Sequence, residues 1–324
     1  MASIWSVKSW SGDSRERKRC PVAESSESLH VLVLTGGPDR EREVSIASGR
    51  EVARALQNAG HQVTLADITP DQTEALDNAC DVIFPALHGK FGEGALPHLL
   101  DRSGIPYVGS GTRASQIAID KAATKKLARQ HDVPTPDYEL VGAAAAITIE
   151  PPLVLKALTE GSSFGMAICH TAEQLEAARG DLHGAFAILM AERFVAGREI
   201  TVGIVDDRPL PMIEIVPATD YYDFDAKYIR DDTQYRFDID LPEAVREAIN
   251  QHAVVMHQAL GCRHLSRVDF ILDEQMVPWF LEVNTMPGMT THSLLPKAAA
   301  ETGMNMSVLC DKLVRLAFEP SAGR

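Results

Sequence analysis

The sequence predicts an α/β protein, with an open parallel sheet in its N-terminal part and an α+β, largely antiparallel arrangement in its C-terminal part. Two apolar runs ending at glycines, "LHVLVLTGG" (29–37) and "DVIFPALHG" (81–89), have the pattern of buried parallel strands. Amphipathic helical stretches alternate with them, as crossover connections require. Further along, "FAILMAERFV" and "REITVGIVDDRPLPMIEIV" read as closely spaced strands of alternating character, the mark of antiparallel pairing.

In chain order, "SIASGREVARALQNAGH" follows the first strand and carries Ile46, Val52, Ala53 and Leu56 on one stripe, which predicts a helix. "QVTLADI" is a second strand and 81–89 a third, so an open sheet covers roughly 30–115. Ligands of such sheets sit beyond the carboxyl ends of the strands, which places "GGPDRERE" and "HGKFGEG" at one functional edge. A helix over 120–132, a short strand over 151–157, a glycine–serine loop and a helix in "TAEQLEAARG" come next. The stretch 221–240 is long, charged and aromatic without clear periodicity, as expected of a functional lid. Pro242 opens a helix with the stripe Val245, Ala248, Ile249 and Met256. "SRVDFILD" and "VPWFLEVN" read as paired strands, and helices near 293–302 and 306–318 close the chain. No internal repeat is present.

The chain has 324 residues, 45% of them hydrophobic and 23% charged, enough for two or three domains and a sizeable core. A net charge of −14 argues against a nucleic-acid or anionic-membrane binder, while leaving room for a local cationic pocket holding a small anion. No apolar stretch has the length that spans a membrane. The five cysteines (Cys20, Cys80, Cys169, Cys262, Cys310) are odd in number and contain no CxxC, which fits a reducing compartment and argues against structural zinc. Residues 1–29 are polar and Ser-rich and lack the apolar core of a secretory signal. They read as a disordered extension, with Trp5 and Trp10 the only hint of docking.

Several stretches carry chemistry. In "FLEVNTMPGMTT", Glu282 and Asn284 stand two apart on a strand and so share a face, and Asp269 can join them from the neighbouring strand. Oxygen ligands without His or Cys suit a hard cation such as Mg²⁺; solvated acids on an edge strand are the plain alternative. "EGSSFGM" (160–166) follows the strand bearing Lys156 and offers backbone N–H groups and hydroxyls fit for phosphate. It is no Walker loop, and a hairpin turn is its alternative reading. "AERFVAGREI" sets Glu192 and Glu199 at the two ends of a connector, able to grip a ribose and an exocyclic amine. "GGPDREREVS" also reads as a solvated helix start whose acids suit the dipole, and His88 also reads as a structural histidine.

Taken in order, these residues closely resemble the D-alanine–D-alanine ligases of the ATP-grasp superfamily. The resemblance runs from about residue 31 to 317, through "GGPDREREVSIASG", "ALHGKFGEG", "YVGSGTRASQIAIDK", "VLKALTEGSSFGM", "AERFVAGREITVGI", "YYDFDAKY", "SRVDFILD" and "LEVNTMPGMTTHSLLP". It implies an ATP-grasp fold with an N-terminal pre-ATP-grasp domain: 30–117 for substrate, 118–200 as central subdomain, and 201–324 as C-terminal subdomain with the lid at 221–240. It implies that Lys121 and Lys156 contact ATP phosphates, with the 160–165 loop and Ser163 closing over them, and that Lys227 reaches the γ-phosphate. Glu192, Arg193, Val195 and Glu199 would line the adenine and ribose site, and Asp269, Glu282 and Asn284 would hold two Mg²⁺ (or Mn²⁺) ions. Glu41 would pair with the ammonium of the first D-alanine, His88 would help place it, and Ser162 and Tyr228 would join Glu41 in a hydrogen-bonded set. Arg267 and the Gly288 N–H would face the developing oxyanion, while Ser293 and the Leu294 N–H would receive the second substrate's carboxylate.

The implied activity is ATP-dependent joining of two D-alanine molecules for peptidoglycan precursors, in the cytoplasm, by a homodimer. Tyr228 accompanies dipeptide formation in this family, where phenylalanine accompanies D-lactate use. The chain departs from the family at "GEGALP", one residue shorter than usual with Pro97 near a customary glutamine. Thr159 also stands where arginine is common, and Phe194 and Val195 are conservative variants. The alternatives are a D-lactate or D-serine acceptor, or a non-catalytic ATP-binding regulator, which would be expected to lose metal ligands or Arg267. A dinucleotide-dependent reductase would need a GxGxxG after the first strand, which is missing.

Overall fold

The computed structural model describes residues 27–217 and 232–319. The expectation for residues 1–29, up to residue 26, and most of the expected lid, Lys227 and Tyr228 included, lie outside the described residues.

The chain opens with β1 (His30–Gly36), α1 (Arg42–Asn58), β2 (Gln62–Ile68) and β3 (Val82–Pro85), in a parallel sheet ordered β2-β1-β3. Central β1 is buried from Val31 on, as its unbroken apolar run requires, while edge strand β2 is largely half-exposed. The helix packs as its periodicity predicts at Val52, Ala53 and Leu56, but Ile46 is only half-buried. Ser45, Ser48 and Gly49 occupy the buried face there, because the helix approaches β1 too closely for bulk. A Cβ on Gly49 would stand 2.7 Å from Thr35 Cβ. A π-helical turn (Lys90–Ala95), α2 (Leu96–Ser103), α3 (Thr112–Ile119) and α4 (Lys121–Gln130) complete this part. The Asp120 carboxylate caps α4, accepting from Ala122 and Ala123 N–H at 2.9 and 3.1 Å.

β4 (Tyr138–Gly142), β5 (Leu153–Ala157), β6 (Met166–Cys169) and β7 (Ile188–Arg193) form an antiparallel sheet ordered β4-β7-β5-β6, backed by α5 (Ala172–His183). The third sheet is antiparallel too. It contains β8 (Arg198–Val205), β9 (Arg208–Pro209), β10 (Ile213–Val216), β11 (Gln234–Arg236), β12 (Leu265–Leu272) and β13 (Pro278–Asn284). Its order is β11-β10-β8-β12-β13, with β9 on β8. Helix α6 (Glu243–Leu260) covers one face, where Ile249 and Met256 meet Val268, Phe270 and Phe280. The last helices, α7 (Leu294–Glu301) and α8 (Met306–Phe318), share a core with α1, β1 and β3, so the chain's end braces the first sheet.

The expected limits at 117 and 200 fall inside α3 and β8, and all of β8 pairs within the third sheet. Among the described residues no helix is long and apolar enough to cross a membrane, and Cys80, Cys169, Cys262 and Cys310 are free thiols.

Candidate active site

Two clefts open side by side. The larger, about 840 Å³, is lined by His88, Glu93, Arg267, Asn284, Gly288, Ser293 and Leu294. The smaller, about 490 Å³, is lined by Lys156, Ser163, Glu192, Arg193, Val195, Glu199 and Asp269. Lys121, Glu160, Gly161, Ser162 and Glu282 line both, so the clefts meet at these residues.

The acidic wall comes from the β12–β13 ladder. Asp269 pairs directly with Glu282, and Arg267 with Asn284. Directly opposed residues of antiparallel strands share a face, so all four side chains stand together. The register shifts next to Asp269, leaving Leu281 as the extra residue of a bulge between the Phe270–Phe280 and Asp269–Glu282 pairs. That bulge keeps both phenylalanines in the core and both acids on the cleft side. Arg267 forks onto Asp269, Nε to Oδ1 at 3.0 Å and Nη2 to Oδ2 at 2.8 Å, and Thr201 donates to Oδ1 at 2.6 Å. Lys121 Nζ lies 3.8 Å from Glu282. Among the described residues no three His, Cys, Asp or Glu side chains form a metal group of their own. Two carboxylates and an amide oxygen fit a hard cation whose remaining ligands are phosphate oxygens and water, the usual arrangement for Mg²⁺.

Lys121 begins α4, where a cation opposes the helix dipole. It is held there by the Glu160 carbonyl, which accepts from its Nζ at 2.5 Å. The loop it grips is strained: Ser162 and Ser163 sit at φ +50° and +59°, which L-residues rarely adopt. Two contacts fasten this loop to the first sheet's edge: an ion pair between Lys90 and Glu160, and Arg40 stacked 3.7 Å above the Phe164 ring centroid. Glu41 is buried beside it; its Oε1 would stand 3.8 Å from a Cβ on Gly161.

His88 is buried with both ring nitrogens engaged. Nδ1–H donates to the Met286 carbonyl at 3.1 Å, so Nε2 accepts from Ser48 Oγ at 3.0 Å. Burial drives its pKa down to about 4, with the Arg267 charge adding to the effect against the Met286 carbonyl. A neutral His88 therefore anchors the turn carrying Gly288, and Ser48 Oγ also accepts from Met289 N–H at 3.3 Å. A Cβ on Gly288 would come within 2.6 Å of Ser293 Oγ, so glycine lets this turn pack directly against that hydroxyl. Ser293 precedes α7, and Ser293 and Leu294 at that helix's start line the larger cleft.

Comparison with known proteins places this geometry. The model of the "D-ala D-ala ligase C-terminus" matches residues 117–315. A D-alanine–D-alanine ligase of Bordetella avium is 44% identical over 294 residues, covering 86% of this chain and 92% of the relative. The chain belongs to the D-alanine–D-alanine ligase family. A ligase of Syntrophotalea carbinolica is 40% identical over 88% of this chain and 94% of its own length. The crystal structure of the Bacillus anthracis D-alanine–D-alanine ligase complexed with ATP superposes with a TM-score of 0.79 at 30% identity, covering 90% of this chain and 97% of that one. The fold is therefore ATP-grasp.

Two residues of this family member escaped the sequence reading. Glu93 lies in the "GEGALP" segment, on the π-turn, and accepts from Gly89 N–H at 3.2 Å. Burial, then the neighbouring Glu41 and Glu282 charges, push its carboxyl up to about 8 against the Gly89 N–H and Arg267, so it is protonated at neutral pH. Its signal was the acid in "HGKFGEG", beside His88. Lys125 is fully buried on α4 and pairs with Glu192 at 2.5 Å. Its spacing of four from Lys121 was the only clue.

Proposed function

We propose that this chain joins two D-alanine molecules into D-alanyl-D-alanine, the ligation its relatives are named for, and that it converts ATP to ADP and phosphate in doing so. The observation that carries the reading is the meeting of the two clefts at Lys121, the 160–162 loop and Glu282. A nucleotide in the smaller cleft would present its terminal phosphate to a carboxylate in the larger one.

A carboxylate is a poor electrophile and must be activated first. Its oxygen attacks the γ-phosphorus, ADP departs, and an acyl phosphate remains in the larger cleft. Lys121 and Lys156 offset the charge of two approaching anions, and Ser162 and Ser163 supply hydroxyls and N–H groups to the phosphates. Asp269, Glu282 and Asn284 would hold Mg²⁺, which supplies charge neutralisation at the transferring phosphoryl group. Glu41 would bind the first ammonium, while Ser293 and the Leu294 N–H would bind the second carboxylate. The second amine, having released its ammonium proton to water, attacks the acyl carbon, and the proton lost as the amide forms leaves with the phosphate. Arg267 and the Gly288 N–H meet the oxyanion, phosphate leaves, and the amide bond is complete.

We infer further that residues 30–117, 118–200 and 201–324 act as substrate, central and C-terminal units, with the second limit better drawn before Arg198, where β8 begins. Lys227 and Tyr228 would complete the site, Tyr228 favouring an amine acceptor. A cytoplasmic homodimer is the family expectation we carry over. The test is phosphate release by purified protein with ATP, Mg²⁺ and D-alanine, comparing D-alanine, D-serine and D-lactate as acceptors. D-Alanyl-D-alanine should dominate, and no turnover with any D-amino acid would overturn the reading.

A further inference from the structure

Glu192 is nearly inaccessible, yet its two oxygens are divided between two ammonium groups. Lys156 Nζ donates to Oε1 at 2.6 Å, and Lys125 Nζ stands 2.5 Å from Oε2. The two lysines differ in what they can reach. Lys156 lines the smaller cleft, whereas Lys125 is 0% exposed and lines neither cleft. Lys125 is held from behind by Thr135 Oγ1 at 2.8 Å and the Phe280 carbonyl at 3.4 Å. Thr135 donates in turn to the same carbonyl at 2.9 Å, fixing the ammonium between α4 and β13. Lys156 therefore has access to anions in the cleft, and Lys125 has none.

We propose that Lys125 is a positioning residue that keeps the Glu192 carboxylate ionised and aimed, and thereby sets the cleft's preference for a 6-aminopurine nucleotide over a 6-oxopurine one. This rests on the reading that Glu192 faces the base. An ionised carboxylate only accepts hydrogen bonds. It takes the N–H of a 6-amino group and repels the oxygen of a 6-oxo group. A neutral carboxyl can donate as well, and loses that discrimination. Burial alone would raise the Glu192 carboxyl, but the charges and hydrogen bonds of Lys156 and Lys125 outweigh it and hold it below the ordinary range. Burial lowers Lys125 to about 8, leaving it charged at neutral pH beside that carboxylate. If Lys125 merely joined α4 to β13, its loss would lower stability and leave base preference alone.

The experiment uses the full chain and four proteins: wild type, Lys125→Met, Glu192→Gln and the double variant. Melting temperature, KM for ATP and D-alanine, and the ratio of kcat/KM for ATP over GTP are measured. Losing a charge-supported hydrogen bond predicts that Lys125→Met raises KM for ATP about 10- to 100-fold. The ATP/GTP ratio falls with it, while KM for D-alanine holds within about twofold. If Lys125→Met melts earlier but keeps its ATP KM and its ATP/GTP ratio, the proposal is overturned. If Glu192→Gln keeps both, the base-site reading itself fails. Should Lys125→Met not fold, the double variant decides, since it carries no unpaired buried charge at Glu192. A KM for ATP within about twofold of Glu192→Gln supports action through Glu192, and a further tenfold loss contradicts it.

Discussion

Asp269 and Glu282 stand directly opposite each other on β12 and β13, and the bulge at Leu281 is what turns both carboxylates to the same side as Lys121. Like charges so placed repel unless a cation lies between or beside them. Arg267 and Lys121 supply that cation in the protein itself. Glu282→Gln should therefore raise the Mg²⁺ concentration for half-maximal activity by at least about tenfold, since even the outer partners of metal ligands are worth that much. Titrating Mg²⁺ at saturating ATP checks this.

Arg267 forks onto Asp269, and the proposed mechanism also gives it the oxyanion. Arg267→Ala should cut kcat by about 100- to 1,000-fold, the usual loss of one oxyanion donor. ATP binding, followed by calorimetry, should persist. Comparable turnover in the variant would remove Arg267 from its role.

Gly288→Ala places a methyl 2.6 Å from Ser293 Oγ. The turn or Ser293 must move, so KM for the second D-alanine should rise while KM for ATP holds. Adding Ser293→Ala relieves the clash, and the two substitutions should combine non-additively. Strict additivity would mean that the two residues do not meet.

Glu93 and His88 give stability opposite pH slopes. Folded Glu93 binds its proton up to about pH 8, whereas the unfolded carboxyl releases it near 4.5, so stability falls as pH rises across that window. Folded His88 stays neutral down to about 4 while the unfolded ring protonates near 6.5, so stability is lost as pH falls below 6.5. Between about pH 4.5 and 6.5, where the two windows overlap, the slopes oppose, each at most about 1.4 kcal/mol per pH unit. Glu93→Gln should expose the His88 slope below pH 6.5, and His88→Asn should extend the Glu93 slope, already present from 6.5 to about 8, down to 4.5. Denaturant melts in EDTA at several pH values check both, and parallel wild-type and variant curves would contradict the account.

Much of this site was legible because its signals are local. The run "HVLVLTG" becomes β1 because its unbroken apolar stretch 31–34 suits a strand buried on both faces. The spacing of Glu282 and Asn284 gives their common face through strand periodicity alone. What stayed hidden depends on contacts distant in sequence. Nothing near Lys125 announces Glu192 or Phe280, and nothing near Ser48 announces His88 or Met289. The short α2 and α3 hold too few turns for a stripe to stand out, and the π-turn at Lys90–Ala95 depends on how the segment packs Phe91 and Gly92 inward. The bulge at Leu281 is invisible because its cause is the core beneath, where Phe280 must stay against Phe270.

The central claim is that a D-alanine carboxylate in one cleft takes the terminal phosphoryl group of a nucleotide in the other. Turnover of D-alanine labelled with ¹⁸O in its carboxyl group, with unlabelled ATP and water, tests it directly. The account predicts that the released phosphate carries one ¹⁸O atom for each dipeptide formed. Unlabelled phosphate alongside dipeptide would contradict it.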